Sequence, residues 1–131
     1  MPIKRKSLNS VILIDDNESD NFMHREILEK CGVNNILEFE SPLTALKYLQ
    51  QTKEVPQLIL LDINFPIMNG FEFLEKFRGL KIAQHPIEII MLSATSNPVG
   101  IKKAKEKCSG FIEKFLTKEK LLAQLESIYA S

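Results

Sequence analysis

The chain carries no net charge, no paired cysteines and no apolar run of membrane-spanning length. Lysine plus arginine equals aspartate plus glutamate at 17 each, so no overall field draws the chain toward nucleic acid or an anionic membrane. The two cysteines, Cys31 and Cys108, stand far apart and form no CxxC motif. They read as reduced, semi-buried thiols of a cytoplasmic protein. No grouping of cysteine or histidine has zinc spacing. The two histidines, His24 in a helical stretch and His85 in a loop, read as surface residues. The basic N-terminus, MPIKRKSLNS, is followed by only four apolar residues before two acids, so it lacks the hydrophobic region of a signal peptide. Residues 1–8 read as a flexible leader. There is no internal repeat, low-complexity tract or linker, and 131 residues fit one domain, 1–131, with no further domain expected after it.

What is present is a composition of 44% apolar and 26% charged residues, ordinary for a globular protein with a sizeable core. The most informative stretch is residues 57–71, QLILLDINFPIMNGF. A short, uniformly apolar run, Leu58-Ile59-Leu60-Leu61, stops at Asp62. Such a run reads as a strand buried on both faces. Asn64, Pro66, Asn69 and Gly70 then make a stiff turn into a new amphipathic segment.

Along the whole chain, strands and helices alternate. VILI at 11–14 is a strand ending at Asp15-Asp16. Residues 19–31 follow with Phe22, Met23, Ile27 and Leu28 at helical spacing. Residues 34–39 read as a more exposed strand. Ser41 then caps a helix with Pro42 in its first position and Leu43, Leu46 and Leu49 on one face. After Asp62, a helix over about 68–78 turns Phe71, Leu74 and Phe77 inward and stops at Gly79. Residues 87–92 form a second fully buried strand ending at Ser93. Asn97-Pro98 opens a helix to about 107, residues 110–112 form a last strand, and Lys114 follows it. Thr117 caps a final helix striped by Leu121, Leu122, Leu125 and Ile128.

Five strands alternating with five helices predict an α/β fold, a doubly wound parallel sheet with helices on both faces. In such sheets the strand C-termini share one rim, and chemistry sits outside it. That rim collects Asp15, Asp16, Asp62, Ser93 and Lys114. Three carboxylates so close would repel one another unless a cation sat among them. An oxygen-only ligand set suits Mg2+, or Mn2+, rather than zinc. A carboxylate beside such a metal and a lysine can attack a phosphoryl group, with the metal, Lys114 and the Ser93 hydroxyl stabilising its oxygens. The product is an aspartyl phosphate.

These motifs, VILIDD at 11–16, DINFPIMNG at 62–70, IIMLSA at 89–94 and GFIEK at 110–114, resemble those of response regulator receiver domains. The likeness covers about residues 9–129 and is nearest in length to the stand-alone chemotaxis type. It implies a three-layer, flavodoxin-like fold with strand order 2-1-3-4-5. It also implies Asp62 as phosphoacceptor and Mg2+ held by the Asp16 and Asp62 carboxylates and the Asn64 backbone carbonyl, with Asp15 acting largely through water. Ser93 and Lys114 are the implied phosphoryl-binding hydroxyl and ammonium, and Phe111 the switch aromatic. The implied donor is a sensor histidine kinase or a histidine phosphotransfer protein, and the implied output is contact with a downstream protein, with no direct nucleic acid and no membrane. In that family the phosphorylated hydroxyl–aromatic pair rearranges a face that here spans about residues 98–115. That face carries Lys102, Lys103, Lys105 and Lys107, which read more simply as a solvated helix surface.

The sequence departs from the family pattern in places. Phe115 follows Lys114 where proline in a cis bond is usual, which leaves open a cis bond or a trans bond with Lys114 aimed differently. Phe111 replaces tyrosine, so its switching would rest on packing. Phe65 replaces methionine and is expected to be partly exposed. Lys107 stands where a helix-ending glycine is common, and Asn64 and Thr95 flank the route of a hydrolytic water. Two rivals remain. One is a degenerate receiver acting as a docking module without phosphorylation. The other is a small aspartate-nucleophile phosphatase, which would need a second aspartate where Asn64 stands.

Overall fold

The computed structural model describes residues 8–63, 68–94 and 97–129. Five strands, β1 (Ser10–Ile14), β2 (Asn35–Phe39), β3 (Leu58–Asp62), β4 (Glu88–Ser93) and β5 (Gly110–Glu113), form one sheet in the order β2-β1-β3-β4-β5. Every pairing is parallel. Five helices, α1 (Glu18–Lys30), α2 (Pro42–Gln51), α3 (Gly70–Phe77), α4 (Pro98–Lys107) and α5 (Lys118–Tyr129), alternate with the strands, and a 3-10 turn at Lys81–Gln84 precedes β4. The predicted doubly wound, flavodoxin-like sheet is therefore the observed one.

The period-2 alternation of the strands divides the core into two layers. Ile12, Ile14, Ile59, Leu61 and Met91 face α2, α3 and α4, where they meet Leu49, Phe73 and Ala104. Val11, Leu13, Leu60, Ile90 and Leu92 face the other way, against Leu28 of α1 and Leu121 and Leu125 of α5. The sheet is covered on both faces, which is why β1, β3 and β4 are apolar almost throughout.

Local signals set the helix boundaries. Asn17, Ser41 and Asn97 each accept a backbone N–H from the first turn of the helix that follows, at 3.0, 3.1 and 3.0 Å. Thr117 accepts from Lys120 at 3.1 Å in the same way. Helix α3 starts at Gly70 rather than near residue 68, because Asn69 and Glu72 form a reciprocal capping box. The inward faces of three helices also differ from expectation. Phe22 and Met23 are 58% and 40% exposed, and the buried residues of α1 are Asn21, His24 and Leu28. Leu43 is exposed, and Ala45 joins Leu46 and Leu49 inside. In α3, Phe73 takes the fully buried place that the spacing assigned to Phe71, which is half-buried.

Both cysteines are free and half-buried, as expected. Burial pushes the Cys108 thiol up to about 11, which makes it a poor nucleophile at neutral pH. Among the described residues, no helix is long and apolar enough to cross a membrane.

Gly70 is held where a side chain would not fit. A Cβ there would lie 3.0 Å from both the Asp62 carbonyl oxygen and the Ile63 Cα, and the Gly70 N–H donates to the Ile63 carbonyl at 2.7 Å. These neighbours are backbone and cannot swing aside. Gly70→Ala is expected to cost about 1–3 kcal/mol in denaturant unfolding. It would also displace the end of the strand that carries Asp62.

Candidate functional site

The rim is built by strands stopping in register. Asp62 pairs with Leu92, and Ser93 pairs with Glu113, so Asp62, Ser93 and Lys114 sit within one residue of three adjacent strand ends. The Lys114 N–H donates to the Ser93 carbonyl at 2.8 Å, extending the ladder by one residue. On the other side, the Asp15 N–H donates to the Phe39 carbonyl at 3.0 Å. Asn21 of α1 donates its side-chain N–H to the Asp15 carbonyl at 3.0 Å, tying the helix to the loop that carries Asp15.

The predicted carboxylates do converge. Asp15, Asp16 and Asp62 each place an oxygen within 4.8 Å of the other two, with Asp15 and Asp62 buried and Asp16 exposed. Lys114 reaches into this group from β5, its Nζ lying 2.7 Å from Asp15 Oδ2 and 3.6 Å from Asp62 Oδ2. Ser93 is fully buried beside them. Phe111, on β5, is buried on the α4 side of the sheet. Asn64, Phe65 and Thr95 lie outside the described residues.

One residue that sequence reasoning missed completes the group. Asp20, in the first turn of α1, accepts from Lys114 Nζ at 2.9 Å. Burial pulls the Lys114 ammonium downward, but its hydrogen bonds to Asp15 and Asp20 and the Asp62 charge outweigh that and raise it well above the ordinary lysine value. The lysine is therefore a fixed cation at any physiological pH. The loop behind it is held by Lys120, which donates to the carbonyls of Glu113 at 3.0 Å and Phe115 at 3.2 Å. The Lys114–Phe115 bond is cis, which resolves the alternative left by the missing proline.

The donor set fits a hard divalent cation. Asp15 Oδ1 is occupied by the Asn17 N–H at 2.9 Å. Asp15 Oδ2 is buried and, among the described residues, meets the Lys114 ammonium alone, at 2.7 Å. A carboxylate oxygen with one such partner keeps a second lone pair for a further cation. All the candidate ligand atoms are oxygen, the pattern of Mg2+ or Mn2+ sites.

His85 is exposed as expected, but His24 is not a surface residue. It is 1% exposed beside the site, its ring centroid 6.3 Å from Phe115, and neither nitrogen has a hydrogen-bond partner among the described residues. Burial holds its pKa below the ordinary value of 6.5, with Lys114 adding to the effect and Asp15 and Asp20 opposing it. Above that ordinary value the imidazole is neutral in both folded and unfolded chains, and its contribution to stability is fully present. Below it, the unfolded chain binds a proton that the folded chain refuses. Stability is then expected to fall with pH by up to about 1.4 kcal/mol per unit, until the folded imidazole also titrates. Urea unfolding of the wild type and His24→Gln from about pH 7 down to about pH 5.5 checks this, the variant lacking that component of the slope.

A family model described as the response regulator receiver domain matches residues 11–126. The chain belongs to this family. Among solved structures, receiver-domain chains superpose over nearly their full length. A two-component response regulator from Cytophaga hutchinsonii gives a TM-score of 0.83 at 26% identity, covering 95% of this chain and 98% of that one. The Vibrio cholerae chemotaxis protein CheY4 gives 0.78 at 25% identity, covering 93% and 99%. A protein-glutamate methylesterase/protein-glutamine glutaminase of Rhodospirillum rubrum is 36% identical over 85 residues, 64% of this chain and 22% of that protein. The chain spans between 22% and 38% of the length of the curated relatives it matches first. The chain is thus a receiver domain of two-component signalling, and receiver domains act with histidine kinases or phosphotransfer proteins.

Proposed function

We propose that this receiver domain accepts a phosphoryl group on Asp62 from the phosphohistidine of a sensor histidine kinase or a histidine phosphotransfer protein. The observation that supports this best is a buried carboxylate at the end of β3, with a fixed lysine cation 3.6 Å away and two further carboxylates able to share a metal.

An Asp62 oxygen attacks phosphorus on the side opposite the imidazole. The new O–P bond forms as the P–N bond breaks, the imidazole leaves with the electron pair, and solvent protonates it. Lys114 supplies positive charge to one phosphoryl oxygen, and the Ser93 hydroxyl, buried at the neighbouring strand end, donates to another. The Asp15, Asp16 and Asp62 carboxylates, with the Asn64 carbonyl, are the proposed ligands of Mg2+, which when bound neutralises charge on the transferring group. Main-chain ties through Asn21 and the Lys114 N–H keep Asp15 and Lys114 in place without the substrate. Phe111, buried beside β4, transmits the change at Ser93 to the α4–β5 face by repacking. Output then leaves through a protein partner on that face.

The test is intact mass after incubation with acetyl phosphate, with and without Mg2+, followed by mapping of the modified residue. A single phosphoryl gain on Asp62 that requires the metal is expected. No gain in a folded protein would favour the docking module. Steady phosphate release over many turnovers with no adduct would favour a phosphatase.

A further inference from the structure

Asp20 is not among the acids that the metal or the phosphoryl chemistry requires. Yet its Oδ2 accepts from Lys114 Nζ at 2.9 Å, closer than the 3.6 Å from that nitrogen to Asp62. Both partners are largely buried, with the Lys114 and Asp20 side chains 9% and 15% exposed. Asp20 is also held from behind, because its own N–H donates to Asn17 at 3.0 Å as α1 begins. The main chain is therefore held at the helix start while the carboxylate holds Lys114.

We infer that Asp20 is a positioning residue that tethers Lys114 and competes with the phosphoryl group for it. Three carboxylates, Asp15, Asp20 and Asp62, share one ammonium in this rim, and Asp16 lies beside two of them. A phosphoryl group on Asp62 replaces one negative charge with about two. Lys114 must then turn a donor toward the new oxygens, and Asp20 holds one of its three donors. Charge-assisted hydrogen bonds of this kind are among the stronger ones in proteins. The tether keeps the lysine aimed near Asp62 at rest, and its cost is a lower phosphorylated fraction when the donor is scarce.

The inference rests on the reading of Asp62 as phosphoacceptor, so the experiment has an arm independent of phosphorylation. In metal-free protein, acetylation of Lys114 by a soluble succinimidyl acetate is followed by peptide mass spectrometry. Lys114 is expected to label slowly in the wild type and in Asp20→Glu, and several-fold faster in Asp20→Asn and Asp20→Ala. In the second arm, the phosphorylated fraction is measured at limiting acetyl phosphate with Mg2+. Asp20→Asn is expected to raise it roughly fivefold, and Asp20→Glu to restore the wild-type level. Unchanged labelling of Lys114 in both Asp20→Asn and Asp20→Ala would overturn the tether. An unchanged or lower phosphorylated fraction in Asp20→Asn, beside a wild type that does phosphorylate, would overturn the competition. A wild type that takes no phosphoryl group would overturn the site reading and the competition together, and the labelling arm would still show whether the tether exists.

Discussion

Asp62→Asn is expected to take no phosphoryl group from acetyl phosphate at any Mg2+ concentration, and yet to melt higher than the wild type in metal-free buffer. The two effects have opposite signs because one oxygen serves two roles. As an acceptor, an amide oxygen lacks the charge needed to attack phosphorus. As a neighbour, the Asp62 carboxylate lies within 4.8 Å of Asp15 and Asp16, and the single Lys114 ammonium is shared. Removing one negative charge relieves repulsion on the order of 1–2 kcal/mol at the effective dielectric of a partly buried site. For a domain of this size that is a shift of about 4 °C per kcal/mol. Mg2+ should reverse the ranking. A ligand at 100 times its dissociation constant stabilises by about 2.7 kcal/mol, and the variant, lacking one ligand, gains less. Thermal melts across a Mg2+ titration, run beside intact-mass measurements, check both halves.

Lys114→Met is expected to fail in both respects. It leaves the buried Asp15 and Asp62 carboxylates without their cation, and Asp20 without its donor. Breaking a buried ion pair by removing one member costs about 3 kcal/mol or more, because the charge left behind has nowhere to go. Mg2+ should recover part of that loss, since it can serve Asp15 and Asp62. Phosphoryl transfer should slow about 100-fold even with metal saturating, the usual cost of losing one preorganised donor to a developing charge. Denaturant unfolding with and without Mg2+, together with the initial rate of phosphorylation, separates the two losses. A variant as stable as the wild type without metal would mean that the lysine is not the counter-ion of the rim.

The sheet was legible because its strands leave no ambiguity. Runs such as Leu58-Ile59-Leu60-Leu61, ended by a single acid, are too short for helices and too apolar for a solvated face. Their ends placed Asp15, Asp16, Asp62, Ser93 and Lys114 on one rim, and the structure brings them together. Helix α1 was misread for the opposite reason. Apolar spacing pointed to Phe22 and Met23, whereas the face turned to the sheet carries Asn21, His24 and Leu28. Asn21 spends its side chain on the Asp15 loop and Asp20 on Lys114, so polar residues occupy the inner face and Phe22 and Met23 the outer. Hydrophobic periodicity cannot detect that exchange. An acid in the first turn also reads simply as a partner of the helix dipole, which concealed Asp20. The signal that was available is the i, i+1, i+4 grouping of Asp20, Asn21 and His24, a polar patch one turn beyond two acids.

The bond between Lys114 and Asp20 joins residues 94 positions apart. The residues of β1, β2 and β3, and with them the four carboxylates of the rim, are translated before Lys114. During synthesis, therefore, the acids are present while their cation is still to be translated. Emergence of β5, with Lys114 just beyond it and α5 to cover it, is expected to be the step that completes the cluster. A nascent or truncated chain ending before residue 114 is expected to be silent toward phosphoryl donors, so that only finished receivers compete for the signal.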